Sequence, residues 1–535
     1  MRTFYRSIIV VAAFMAGCGG GDNGSNAESP VIKTSEIVTI TTGQLTGVVE
    51  NGSDAYKGIP YAAAPVGDLR WKPPQPVTPW AGIREANAFL SPCPQSPEST
   101  GSISAIPYLG AEDCLYLNVW TPAGRQAGER LPVMFFIHGG GNFAGSSSDS
   151  TDIIINTIGG PALYDGSRLA SRGNVIVVTA NYRLGPLGFI YHLAMTGNTG
   201  NFGLLDQIEA LKWVQQNIEV FGGDSSRVMI FGQSGGAYDV CALLTSPLAS
   251  RLFSRAMMES GVCYLHTQAL MEQYTSALLQ EKGCSGVPDV MQCLRNIPAE
   301  DLILAQSAQP QGLGSFTFHP FVDGYFAPDR PLTVLAQGLH NHVPFVIGSN
   351  AAEYAHRFAD TIALNYPVMV ADLLGLGNLG RLKEALLLYP LNGYASPQEA
   401  MVQVASDRNI VCNTKKIARQ VSLVQAEPVY YYHFRRILTA PERQAAAAYH
   451  ASELLYVFQH MNGVDFAADD NDRTVESHLL NYWTQFAASG NPNSANMPLW
   501  SEYDSATDPY QILDVVPVGD VQLKQDKCLF WDSLQ

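Results

Sequence analysis

The sequence predicts an α/β fold with a large, mostly parallel central sheet flanked by helices and long insertions. Three observations carry this. The runs "LPVMFFIHGGG", "NVIVVTANYR" and "RVMIFGQSGG" are continuously apolar and end in turn residues. Such runs suit strands buried on both faces of a parallel sheet. Between the second and third lies "NFGLLDQIEALKWVQQNIEVFGG", where Leu204, Leu205, Ile208, Leu211, Val214 and Ile218 recur at helical spacing until Gly222 and Gly223 stop them. Strand, helix, strand is the signature of parallel α/β architecture. The second half is richer in helical patterns. In "DRTVESHLLNYWTQFAASGNP", Asp472 is the candidate N-cap, and Gly490 and Pro492 close the segment.

In chain order, the first element is a targeting segment. Arg2 and Arg6 precede a short apolar stretch, Ile8 to Met15, followed by Met-Ala-Gly-Cys. The stretch is too short to span a bilayer comfortably. The junction resembles a bacterial lipobox, which implies a signal peptide over 1–17, lipidation of Cys18 and a flexible tether over 18–33. The protein is thus expected to be exported, periplasmic or at the cell surface, and to meet the membrane only through that lipid. "IVTITTGQLTGVVENGSDAYKGIPYA" then reads as short strands broken by glycines and by the turn Asn51-Gly52. No internal repeat or linker follows, so 34–535 is expected to be one domain.

Composition narrows the function. Of 535 residues, 46% are hydrophobic and 15% charged, enough for a large core and unlike a disordered chain. The net charge is -16, with no Lys/Arg cluster to neutralise phosphates, so nucleic-acid binding is not expected. There is no CxxC pair and no HExxH, so the sequence supports no zinc site. Beyond Cys18 the cysteines are eight, an even number that points to disulfides in an exported protein.

The chemistry concentrates at strand ends. In "GQSGG", Ser234 follows an apolar strand and precedes a helix, with Gly232 and Gly236 two residues to either side. A sharp strand-to-helix turn leaves no room for side chains there, and it aims a helix N-terminus at an exposed hydroxyl. "HGGGNFAG" ends another strand. Its glycine run lets backbone N–H groups converge on an oxyanion, with Gly140, Gly141 and Gly235 as the candidate donors. Gly139, Gly141 and Ala144 also fit the dinucleotide pattern GxGxxA, but "SSSDSTD" follows in place of an amphipathic helix. A serine nucleophile needs a base and an orienting acid. Chemistry alone does not choose among the 11 histidines, although His450 precedes the apolar stretch "ELLYVF".

With these segments stand "KGIPYAAAPVGDLRW", "EDCLYLNVWTP", "NYRLGPLGF", "HPFVDGYF", "GSNAAEY", "DRNIVC" and "YHASELLYVF". Together they resemble the type B carboxylesterase family, the cholinesterase-like branch of the α/β-hydrolases, in family order from Lys57 to Phe530. The resemblance implies an α/β-hydrolase fold and hydrolysis of small-molecule carboxylic esters, with neither cofactor nor metal. It implies Ser234 as nucleophile, His450 as base and Glu353 as acid, although Ala351, Ala352 and Tyr354 flank Glu353 where the family has Lys, Asp and Gly. It also implies disulfides Cys93–Cys114, Cys284–Cys293 and Cys412–Cys528, leaving Cys241 and Cys263 as expected free thiols. Arg70 with Glu112, and Arg183 with Asp206, sit where the family has ion pairs. Aligned with the family, "QGLGSFTFHP" implies Gly314 and Phe316 on the acyl side.

Four departures stand out against that pattern. Gln233 replaces the Glu before the nucleophile, and Glu259 replaces a Gln in the later "ESG" segment. The expectation is that Glu259 restores the missing charge beside Glu353 and Glu453. Gly235 replaces Ala. The Cys93–Cys114 loop has no tryptophan to hold a quaternary ammonium, which argues against choline esters. The sequence does not name the ester or the oligomeric state.

Overall fold

The computed structural model describes residues 34–534 apart from 97–107, 127, 149–162, 196–198, 308–316, 356, 439–446 and 462–467. The expected signal peptide, Cys18, the expected tether, Gly314 and Phe316 lie outside the described residues. The central sheet has eleven strands. They are β1 (Val48–Glu50), β2 (Ser53–Pro60), β3 (Tyr116–Pro122), β4 (Leu131–Ile137), β5 (Ile176–Ala180), β6 (Gly223–Gln233), β7 (Arg255–Glu259), β8 (Phe345–Asn350), β9 (Val429–Phe434), β10 (Pro509–Leu513) and β11 (Val518–Val521). Their spatial order is β11-β10-β9-β8-β7-β6-β4-β5-β3-β2-β1. From β5 to β10 every neighbouring pair is parallel. Antiparallel strands close both edges.

The three apolar runs are β4, β5 and β6, at the middle of this sheet. Their lack of alternation has a direct cause. In β4, Val133, Phe135 and Ile137 join the core on one face, while Met134 and Phe136 join the core on the other. A strand covered on both faces needs apolar side chains at both parities. At the start of the sheet, Asn51 and Gly52 take positive φ (46° and 80°) in the tight turn between β1 and β2.

Helix α1 (Phe202–Asn217) covers one face, burying Leu204, Ile208, Leu211 and Val214. A 3₁₀ turn over Ile218–Phe221 carries the chain on to Gly222. Helix α2 (Gly235–Thr245) packs on the same face. Helix α3 (Asp470–Ser489) covers the other face with Val475, Leu479, Trp483 and Phe486. Its N-cap is Asp469 and not Asp472. Asp472 is the N3 partner of a capping box, and its side chain answers the Asp469 backbone N–H. Gly490 ends the helix in the left-handed conformation.

Disulfides join Cys93 to Cys114, Cys284 to Cys293 and Cys412 to Cys528. The expected free thiols are not free: Cys241 is bonded to Cys263. Cys241 lies on α2 and Cys263 just beyond β7. The parallel pairing of β6 with β7 brings these neighbours together, with Cα atoms 5.4 Å apart. Arg70 holds Glu112 through two hydrogen bonds of 2.6 Å, and the buried Arg183 holds Asp206 in the same forked manner at 2.7 Å. Among the described residues no helix is long and apolar enough to cross a membrane.

Candidate active site

Ser234 stands between the end of β6 and the start of α2 as the helix N-cap, and its backbone is strained at φ 56°, ψ -121°. Several contacts hold it there. Its N–H donates to the Glu259 carbonyl at 3.0 Å, and its carbonyl accepts from Ala237 at 3.0 Å and Tyr238 at 3.1 Å. The turn is tight enough to require glycine. A β-carbon at Gly236 would lie 2.0 Å from the Ile137 carbonyl oxygen. Ser234 is half-buried, between the buried Gln233 and Gly235.

The glycine loop lies against this elbow. A β-carbon at Gly235 would lie 2.7 Å from the Gly141 nitrogen and 3.1 Å from the Asn142 nitrogen. The backbone of Gly141 thus comes directly onto the start of α2. Gly140 and Gly141 both take positive φ (95° and 61°), which turns their peptide groups out of the strand path.

Glu353 and His450 come together from distant parts of the chain. His450 Nδ1 lies 2.6 Å from Glu353 Oε2. The other Glu353 oxygen accepts the Asn350 N–H at 2.7 Å, which fixes the carboxylate at the end of β8. Glu353 is buried, while the His450 side chain is about one-third exposed. On the far side of the ring, Nε2 lies 3.2 Å from the amide nitrogen of Gln233, the residue immediately before Ser234. With the ring proton on Nδ1 facing the carboxylate, Nε2 carries the lone pair and accepts from that amide.

Behind this line is a buried acidic layer. Glu259 accepts the Trp483 indole N–H at 2.6 Å. Burial, and then the neighbouring Glu453, push the Glu259 carboxyl well above the usual range. Burial, followed by Glu353, pushes Glu453 up to about 7, against hydrogen bonding from Asn350. Burial thus works against a charge on Glu259, whose carboxyl meets Trp483, and the side chain that reaches His450 is that of Gln233. Burial likewise drives His138 down to about 4 and keeps it neutral, stacked 4.3 Å from Tyr182.

The sequence reading missed Asp239. It sits on α2, fully buried, and accepts from Asn142 at 3.0 Å and Gln207 at 2.6 Å. The available signal was a single acidic residue inside the otherwise apolar "AYDVCALL". Among the described residues no group of three or more His, Cys, Asp or Glu side chains could hold a metal ion.

The family model described as "Carboxylesterase family" matches residues 34–531. The chain belongs to the carboxylesterase family. This carboxylesterase is 34% identical over 493 residues to a para-nitrobenzyl esterase of Bacillus subtilis (strain 168), covering 90% of this chain and 95% of the relative. It is 31% identical over 537 residues to a human cocaine esterase, covering 93% and 91%. Among solved structures it resembles a PNB esterase with a TM-score of 0.76 at 33% identity, over 92% of this chain and 99% of that one. This carboxylesterase is accordingly an α/β-hydrolase that cleaves carboxylic esters. Its four disulfides fit an oxidising compartment.

Proposed function

We propose that this carboxylesterase acts through Ser234, His450 and Glu353 and a covalent acyl-enzyme. His450 Nε2 exchanges its contact with the Gln233 amide for the Ser234 hydroxyl and takes its proton as the serine oxygen attacks the ester carbonyl. The N–H groups of Gly140, Gly141 and Gly235 receive the oxyanion. Glu353 holds the ring by Nδ1 and stabilises its cation. The alcohol leaves with the proton from Nε2, and water repeats the sequence on the acyl-enzyme. The observation that carries the reading is the line from Glu353 through His450 to the residue beside Ser234, at 2.6 Å and 3.2 Å.

The para-nitrobenzyl and cocaine esterase relatives support small-molecule esters as the substrate class. The lipobox-like junction at Cys18 supports export and a lipid anchor. An organophosphate adduct located by mass spectrometry on Ser234, with kcat reduced roughly 10⁴–10⁶-fold in Ser234→Ala, is the expected result. An adduct on another residue, or full activity in Ser234→Ala, refutes the assignment.

A further inference from the structure

We propose that Asp239 is a positioning residue for the oxyanion hole, its buried carboxylate tying Asn142 of the glycine loop to the helix that carries the nucleophile. This rests on the Ser234 reading above and adds to it a device outside the triad.

The geometry is specific. Asn142 follows Gly141 directly and is fully buried, with φ 61°. Its carbonyl accepts the Gly185 N–H at 2.7 Å, and its side-chain amide donates to Asp239 Oδ1 at 3.0 Å. The loop is thus pinned at the residue beside the Gly141 N–H by one bond to the backbone and one to α2. Gln207 of α1 donates to the other Asp239 oxygen at 2.6 Å, which fixes the carboxylate from the opposite side. The groups that face Asp239 are Asn142, Gln207 and the phenol of Tyr182, which also donates to the His138 carbonyl at 2.8 Å. His138, stacked on Tyr182, is neutral. None of these is a cation.

A buried carboxylate stabilised only by neutral donors is an expensive way to hold a loop. It is also a stiff one, because charge-assisted bonds are short and directional. Protonation would remove the charge from the carboxylate and weaken both oxygens as acceptors for the Asn142 and Gln207 amides. Burial pushes Asp239 up to about 7, against the bonds from Gln207 and Asn142. The loop's anchoring therefore weakens on acidification through neutrality. An oxyanion donor acts on the transition state, so the loss falls on kcat and not on KM.

The test is steady-state kinetics across pH, together with the affinity of an alkyl trifluoromethyl ketone, which adds to the nucleophile and fills the oxyanion hole. Three variants are compared: Asp239→Asn, Asn142→Ala, and the exchange Asn142→Asp with Asp239→Asn. In Asp239→Asn at about pH 8, kcat should fall about tenfold, with KM within about twofold and ketone affinity reduced in step. The acid limb of kcat, steeper than first order in hydrogen ion in the wild type, should become first order. Asn142→Ala, which keeps Asp239, should lose kcat and ketone affinity similarly, and it serves if Asp239→Asn does not fold. The exchange preserves one donor and one acceptor between the two positions and should recover most of the loss. Wild-type kcat, ketone affinity and acid limb in Asn142→Ala or in a folded Asp239→Asn would overturn the Asp239 assignment alone. Activity surviving in Ser234→Ala would overturn the reading of the site, and this inference with it.

Discussion

Gln233 and Glu259 are register partners at the ends of the neighbouring parallel strands β6 and β7. Paired residues on parallel strands project to the same face, so the two side chains stand side by side. The Glu and Gln that the family resemblance places at these positions have changed places within one pair, and the face keeps one carboxyl and one amide. What changes is which of them touches His450. Gln233→Glu would put a carboxylate 3.2 Å from His450 Nε2 in place of an amide. A negative charge there favours the protonated ring, so the acid limb of kcat/KM should move to higher pH by about one unit. Glu259→Gln removes a carboxyl whose charge burial disfavours and which meets Trp483, and it should leave that limb in place. A pH profile for each variant decides both points.

Glu259 instead affects stability. Its folded carboxyl titrates well above 4.5, whereas in the unfolded chain it ionises near that value. Between the two, folding takes up a proton, so the native state loses stability as pH rises. Gln at this position can still accept the Trp483 N–H and has no such dependence. Glu259→Gln should therefore gain stability over the wild type as pH rises above about 4.5, by at most about 1.4 kcal/mol per unit. Melting temperatures of the two proteins at acidic and at weakly alkaline pH should diverge in that sense.

Gly235→Ala should slow the enzyme. The added methyl would stand 2.7 Å from the Gly141 nitrogen, and both partners are backbone that must shift to make room. On the proposed reading, in which these N–H groups receive the oxyanion, a displacement of a few tenths of an ångström should lower kcat about tenfold and leave KM nearly unchanged. The kinetic constants on one chromogenic ester settle the matter.

The Cys241–Cys263 bond should be found in the purified protein by alkylation after unfolding without reductant, with neither cysteine labelled. Replacing both by Ser should lower stability by about 2–4 kcal/mol in denaturant titration. Both sulfurs are buried in the core beside α2, so the serines add a desolvation cost to the lost cross-link.

Much of this architecture was legible because burial on both faces leaves a plain mark. β4, β5 and β6 read as strands since both parities are apolar, and α1 read as a helix from its spacing. Ser234 was legible because its turn excludes side chains at Gly232 and Gly236, and exclusion leaves glycines in the sequence. The contact of His450 with Glu353 left no local mark, since the two are 97 residues apart and meet only through the sheet. Pattern chose them by resemblance alone. The Cys241–Cys263 pair was misread for a related reason: strand register, which brings them together, is not written beside either residue. Asp472 was misread as a cap because Asp469, three residues earlier, offers the same chemistry.

The bridge between Cys412 and Cys528 has a consequence for how the molecule is made. It joins residues 116 apart, while the other three close spans of 9 to 22. Those three can form while the chain is still emerging. The long one must wait until β9, the His450 segment, α3, β10 and β11 have all been delivered, because Cys528 lies in the final helix, Gln525–Asp532. A chain cut short before that helix keeps a thiol at Cys412 with no partner to take it. In a compartment where thiols are readily captured, the state of the Cys412 sulfur thus reports whether synthesis and folding have reached Cys528.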